Sequence, residues 1–241
     1  MAALIAFDTA TERMTIAVKG PDERVWGHEG EGGAQASTSL LPAILALVRE
    51  AGLQLGDLDA IAFGRGPGAF TGLRTACSVA QGLAFGLGKP VLPIDSLLAV
   101  AEEARREGAA RREGAACRVW AAIDARMQQI YAAEYEHVDG RWRTLTPPLL
   151  TDCEALGRRW RDAPPAAIAG DALRVFGDAL PTLGAVLSPD ARPGAVALLR
   201  LAESAWAAGA GVDAAEALPL YVRDKVAQTS VEREAARAAR V

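Results

Sequence analysis

Histidine, cysteine and aromatic residues are scarce in this chain of 241 residues, which has two histidines, three cysteines and an aromatic share of 5 %. His28 and His137 are far apart, one on a predicted strand and one beside a predicted hairpin turn. No pair of imidazoles one helical turn apart can therefore converge on a metal ion. Cys77, Cys117 and Cys153 are odd in number and contain no C-x-x-C pair. That excludes a disulfide framework and a zinc ribbon, and leaves them as small apolar residues. G-x-x-x-x-G-K-[ST] and G-x-S-x-G are both absent, so neither a P-loop nucleotidase nor a serine nucleophile elbow is expected. No apolar run approaches the roughly 18 residues that span a bilayer. The acid Asp8 arrives too early for a signal-peptide core, so the expected location is the cytoplasm, away from the membrane. A net charge of −4 without a Lys/Arg cluster lacks the footprint of a phosphate-backbone binder.

What is present is apolar: 51 % of the residues are hydrophobic, enough to bury a sizeable core. Three short strands are expected at 3–8, 15–19 and 24–28, then a helix at 39–51, a strand at 60–64, a helix at 71–86 and a strand at 90–94. A further helix starts at the Asp95/Ser96 cap and runs into A-R-R-E-G-A-A, which is repeated at once and whose glycines should break it. Beyond this stretch come strands at 118–124 and 130–136, an Asp139-Gly140 hairpin turn and a strand at 141–145. A helix at 152–160, a strand at 166–169 and a helix at 172–180 follow. The β-β-β-α-β-α order thus occurs twice. An α/β class with duplicated mixed sheets, the chain order of the actin/Hsp70 architecture, is the expected fold. The expected layout is a first domain at 1–103 that carries a partner interface and is completed by a C-terminal helix within 194–225. A linker at 104–117, a second domain at 118–193 and a tail at 226–241 complete it.

The richest segment is G-R-G-P-G-A-F-T-G-L-R at 64–74, where four glycines and a proline force an irregular turn between a strand and a helix. Such a loop lets something approach closely. With F-D-T-A at 7–10, S-V-A-Q-G-L-A at 78–84, I-D-A-R-M at 123–127 and L-P-L-Y-V-R-D at 218–224, it closely resembles the TsaB family, in order and over most of the chain. The resemblance implies an actin-like fold, a non-catalytic role, and pairing with a larger TsaD-type subunit that transfers a threonylcarbamoyl group to tRNA adenosine. It also implies contact with a TsaE-type ATPase through the complex, tRNA served only indirectly, and a homodimer when alone. A TsaD-like subunit holds its metal with H-x-x-x-H on its first helix; here that stretch is Q-A-S-T-S-L-L-P at 35–42.

No catalytic residue and no metal ligand is assigned, and no cofactor is expected, with weak or interface-only ATP or ADP left open. In the superfamily an Asp after the first strand orients Mg²⁺ and phosphate, which places Asp8, Thr9 and Thr11 as candidates facing a phosphate. The competing role is a turn, and Ala10 stands where the usual glycine would be. Asp124 and Arg126 occupy the matching place in the second copy, either as a phosphate-facing pair or as a domain-interface ion pair. The partner interface is placed on Ser39, Ala43 and Leu47 of the first helix and on Phe70, Arg74, Ser78, Gly82 and Gly86 of the second. On the latter, Leu73, Cys77, Ala80 and Ala84 can face the core while Ser78, Gly82 and Gly86 form a small-residue stripe. Two other readings compete: an NAD(P)-dependent oxidoreductase with a G-x-G-x-x-A turn at Gly64–Ala69, and a homodimeric scaffold or regulator with no TsaD partner.

Overall fold

A computed structural model of the chain describes residues 2–33, 35–108, 116–182 and 184–223. The expected tail at 226–241 and positions 109–115 of the expected linker lie outside the described residues. The first half runs β1 (Leu4–Asp8), β2 (Arg13–Lys19), β3 (Val25–Glu31), α1 (Ala36–Glu50), β4 (Ala60–Gly66), α2 (Phe70–Leu87), β5 (Val91–Asp95) and α3 (Ser96–Arg106). The second runs β6 (Cys117–Asp124), β7 (Ile130–Val138), β8 (Arg141–Thr151), α4 (Cys153–Asp162), β9 (Ala167–Ala169), α5 (Ala172–Phe176) and β10 (Val186–Ser188), with α6 (Ala195–Ala207) after it.

Each half builds a five-stranded mixed sheet, ordered β3-β2-β1-β4-β5 and β8-β7-β6-β9-β10. In both, three strands form an antiparallel meander and its first strand pairs in parallel with the fourth. The same topology twice is the actin-like duplication. β1 is buried along its whole length, as a central strand covered on both faces must be. Ile5 and Phe7 point to the layer of α1 and α2, while Leu4 and Ala6 meet Leu198, Leu199 and Leu201 of α6.

Helix faces follow the 3.6 period. Leu40, Ile44, Leu47 and Val48 of α1, and Leu73, Ala76, Cys77, Ala80 and Ala84 of α2, form the buried stripes. The small side chains on α2 let it lie close to the sheet, and Gly88 at φ 64° ends it in the left-handed region. α3 lies between the halves. Its Leu97, Val100, Ala101 and Ala104 pack on Val119, Ala121 and Ile123 of β6.

Three local expectations are corrected, and one short strand was not expected. The linker expected at 104–117 begins inside α3, because Ala104 is buried, and ends inside β6. β8 continues to Thr151 through Pro147 and Pro148, which the edge strand accommodates at a register irregularity where neither proline pairs with β7. The helix expected at 172–180 stops at Phe176 and gives way to a 3₁₀ turn, Gly177–Ala179, where Gly177 takes φ 47°. β10 is three residues long and carries no alternation to read.

Candidate functional site

The glycine-rich loop between β4 and α2 packs on the chain's own β1 end. A Cβ at Gly64 would sit 1.7 Å from Asp8 Oδ2, one at Gly68 2.4 Å from the Ala10 carbonyl oxygen, and one at Gly72 1.8 Å from the Thr9 oxygen. The close approach that these glycines permit is therefore internal. The Ala69 N–H donates to the Ala10 oxygen at 2.7 Å, and the Thr9 hydroxyl donates to the Gly72 oxygen at 2.7 Å. The G-x-G-x-x-A reading of Gly64–Ala69 falls here, since residues 8–10 occupy the space over that turn.

Of the two roles open to Asp8, a turn or a phosphate-facing acid, the turn is the one formed, with the Ala10 N–H donating to its carboxylate, and Thr9 turns inward beside it. Both are fully buried, and the Asp8 carboxylate accepts from the Ser96 hydroxyl at 2.5 Å and from the Ala10 N–H at 2.6 Å. Burial pushes the Asp8 carboxyl up to about 6, against the lowering effect of those two hydrogen bonds. Its oxygens tie β1 to the start of α3 instead of facing a ligand.

Between the two sheets lies a cleft of about 590 Å³, lined by Thr11, Asp124, Arg126, Asp171, Arg174 and Tyr221 among others. Thr11 stands at its rim, where its hydroxyl accepts from the Arg13 N–H at 3.3 Å in a turn. Arg126 pairs with Asp124 at 3.2 Å and, across the cleft, with Glu12. Arg174 pairs with Asp190. Arg192 from the second half reaches Glu29 of β3 at 3.2 Å. The charges lining the cleft thus largely neutralise one another, and two of the pairs link the halves.

A strap after α6 was not foreseen, because its contacts are distant in sequence and it has no periodicity. The Ala217 oxygen accepts from Cys77 and Gln81 of α2, the Leu220 N–H donates to the Arg65 oxygen, and Arg223 donates to the Ala125 oxygen in the β6–β7 turn. The strap therefore joins α2 to the second sheet.

The outer face of α1 and α2 is uncovered. Phe85 is 87 % exposed, and Leu41, Leu45 and Phe70 lie open at 37–43 %. A shallow groove beside α2 is lined by Ser37, Phe70, Thr71, Arg74, Ser78 and Val79. Phe70, Arg74, Ser78, Gly82 and Gly86 share this exposed face, and a Cβ built at Gly82 or Gly86 meets nothing within 4 Å. Leu47 is corrected: at 4 % exposure it belongs to the core, and Leu41 and Leu45 take its place outside. Ser39 and Ala43 are half-buried, and the Ser39 hydroxyl donates to the Gln35 oxygen.

Among the described residues no cluster of three or more His, Cys, Asp or Glu is placed to hold a metal ion, and no helix is long and apolar enough to cross a membrane.

The family model of TsaD, tRNA N6-adenosine threonylcarbamoyltransferase, matches residues 32–167. The chain is 33 % identical over 234 residues to the tRNA threonylcarbamoyladenosine biosynthesis protein TsaB of Escherichia coli K12, covering 93 % of this chain and 96 % of that protein. To the protein of the same name from Haemophilus influenzae it is 42 % identical over 132 residues, 54 % of this chain and 52 % of the other. The structure of YeaZ from Pseudomonas aeruginosa superposes with a TM-score of 0.81 at 39 % identity, over 92 % of this chain and 100 % of that one.

Proposed function

The chain belongs to the TsaB family of tRNA threonylcarbamoyladenosine biosynthesis proteins, and we propose that within that pathway it is a support subunit that docks a TsaD-type transferase on the outer face of α1 and α2. The observation that carries this reading is the pair Gly82 and Gly86. A glycine inside a helix costs about 1 kcal/mol relative to alanine. Among the described residues nothing requires the missing Cβ at either position. A partner backbone lying against the stripe would require it, and the open Phe85, Leu41 and Leu45 supply the apolar area such a contact buries.

The non-catalytic part of the proposal draws on the interior. Asp8 is engaged by Ser96 and Ala10, and the glycine loop is packed on residues 8–10, so neither is free to receive a phosphate, and the open cleft beside them is lined mostly by charges already paired with one another. The packing of α3 on β6, the strap after α6 and two exposed ion pairs link the two halves into one platform. Its role is to present a surface and not to perform a reaction.

Gly82→Leu tests the docking face. The substitution adds bulk only outside the fold, so circular dichroism should show an intact chain. Pairing with the TsaD-type subunit of the same organism, followed by size-exclusion chromatography, should weaken at least about tenfold from overpacking at the contact. A folded Gly82→Leu chain that pairs normally would refute the assignment of this face.

A further inference from the structure

We infer that Arg74 selects the partner: the docking face accepts a protein that places an Asp or Glu carboxylate against Arg74, and for that reason discriminates against a second copy of this chain. The inference rests on the proposed docking face.

Arg74 is held ready. Its guanidinium carbon lies 3.8 Å from the centre of the Phe70 ring and 6.0 Å from that of Tyr221, and its Nε donates to the Tyr221 hydroxyl at 3.1 Å. The two rings are themselves 5.7 Å apart, so the side chain is clamped between α2 and the strap. Arg74 is exposed, and no carboxylate among the described residues pairs with the two terminal nitrogens of its fork. Four arginines of the cleft differ from it, since Arg13, Arg126, Arg174 and Arg192 each pair with an acid, while Arg223 there donates to the Ala125 oxygen.

Arg74 is also the only charged residue on the 18 residues of α2. α1 has charges only at its last two positions, Arg49 and Glu50. A partner that covers this face takes Arg74 out of water, and a buried guanidinium without a counter-charge is strongly unfavourable. A partner carboxylate resolves this, because the planar fork matches it bidentately. A two-fold pair of identical chains must instead place the same patch on both sides. Within α1 and α2 that patch offers a single carboxylate, Glu50, at the far end of α1. Self-association through this face therefore leaves Arg74 uncompensated, whereas a different protein with an acid in register satisfies it.

The test compares wild type, Arg74→Met and Arg74→Lys in two equilibria. One is pairing with the TsaD-type subunit of the same organism, measured by calorimetry at low and high salt; the other is self-association, measured by sedimentation. Arg74→Met should weaken heteropairing by roughly a hundredfold and remove much of its salt dependence. It should leave self-association unchanged or make it tighter. Arg74→Lys keeps the charge and loses the fork, so it should fall between, and it also reports if the methionine variant does not fold. Loss of both pairings in Arg74→Met would overturn selection by charge, since Arg74 would then be a general packing residue. Unchanged heteropairing in Arg74→Met, with Gly82→Leu still weakening it, would overturn the anchor and leave the docking face standing. If neither variant affects heteropairing, the docking face fails as well.

Discussion

Gly64→Ala should be among the most damaging single-methyl changes in this protein, because the added Cβ would lie 1.7 Å from Asp8 Oδ2 and 2.5 Å from its carboxyl carbon. Those atoms have nowhere to go. The same carboxylate accepts from Ser96 at 2.5 Å and from Ala10 at 2.6 Å, within a fully buried site. Relieving the clash means moving the carboxylate by more than an ångström or bending β4, and either breaks a charge-assisted hydrogen bond. Overpacking costs about 1–3 kcal/mol and a lost hydrogen bond to a charged group about 1.5–3, so the expected loss is roughly 3–5 kcal/mol. That is a large part of the ~5–15 kcal/mol that holds a domain together. Urea unfolding followed by circular dichroism measures it. A double-mutant cycle with Asp8→Ala isolates the contact, since Gly64→Ala should cost much less once the carboxylate is gone, with coupling of about 2 kcal/mol. Equal cost in both backgrounds, or an unchanged midpoint for Gly64→Ala, would refute the claim that this glycine exists to receive Asp8.

Asp8 also predicts a pH dependence. Its folded-state value, about 6, lies above the ordinary 3.8, so the native state holds a proton that the unfolded chain has already released. Its contribution to stability is therefore greatest below about pH 4, and up to about 3 kcal/mol of it is lost as pH rises through 6. Asp8→Asn should flatten that part of the profile in urea titrations; a variant whose profile between pH 4 and 6 matches the wild type would contradict the assignment. Calorimetry with Mg-ATP should give weak binding or none, because the Ala69 N–H is already used by Ala10 and Asp8 is enclosed, and a sub-micromolar dissociation constant would overturn this.

The duplicated fold was legible because its elements are local: β1 is a continuous apolar run, and α1 and α2 repeat apolar residues at three and four positions. The exposed side of α2 was legible for the same reason, since Ser78, Gly82 and Gly86 share the face opposite Leu73, Cys77 and Ala84. Leu47 was misplaced because α1 is apolar on several sides, and periodicity alone cannot say which leucine the sheet takes. The purpose of the glycine loop could not be read, because its contacts with residues 8–10 are about 60 positions away in sequence. The same holds for the strap, whose Tyr221 meets Arg74 across 147 positions. The turn at Asp8 was legible as one of its two roles, but its bond to Ser96, 88 positions later, was not, because residue type does not reveal burial.

Threonylcarbamoyladenosine in bulk tRNA, measured by mass spectrometry from cells deprived of their own TsaB-type protein, reads out whether this chain supports the modification through the outer face of α2. Supplying this chain together with the TsaD-type subunit of its own organism should restore the modified nucleoside, and the same chain carrying Gly82→Leu, expressed and folded to the same level, should not. Full restoration by Gly82→Leu would show that the chain serves tRNA modification without the outer face of α2.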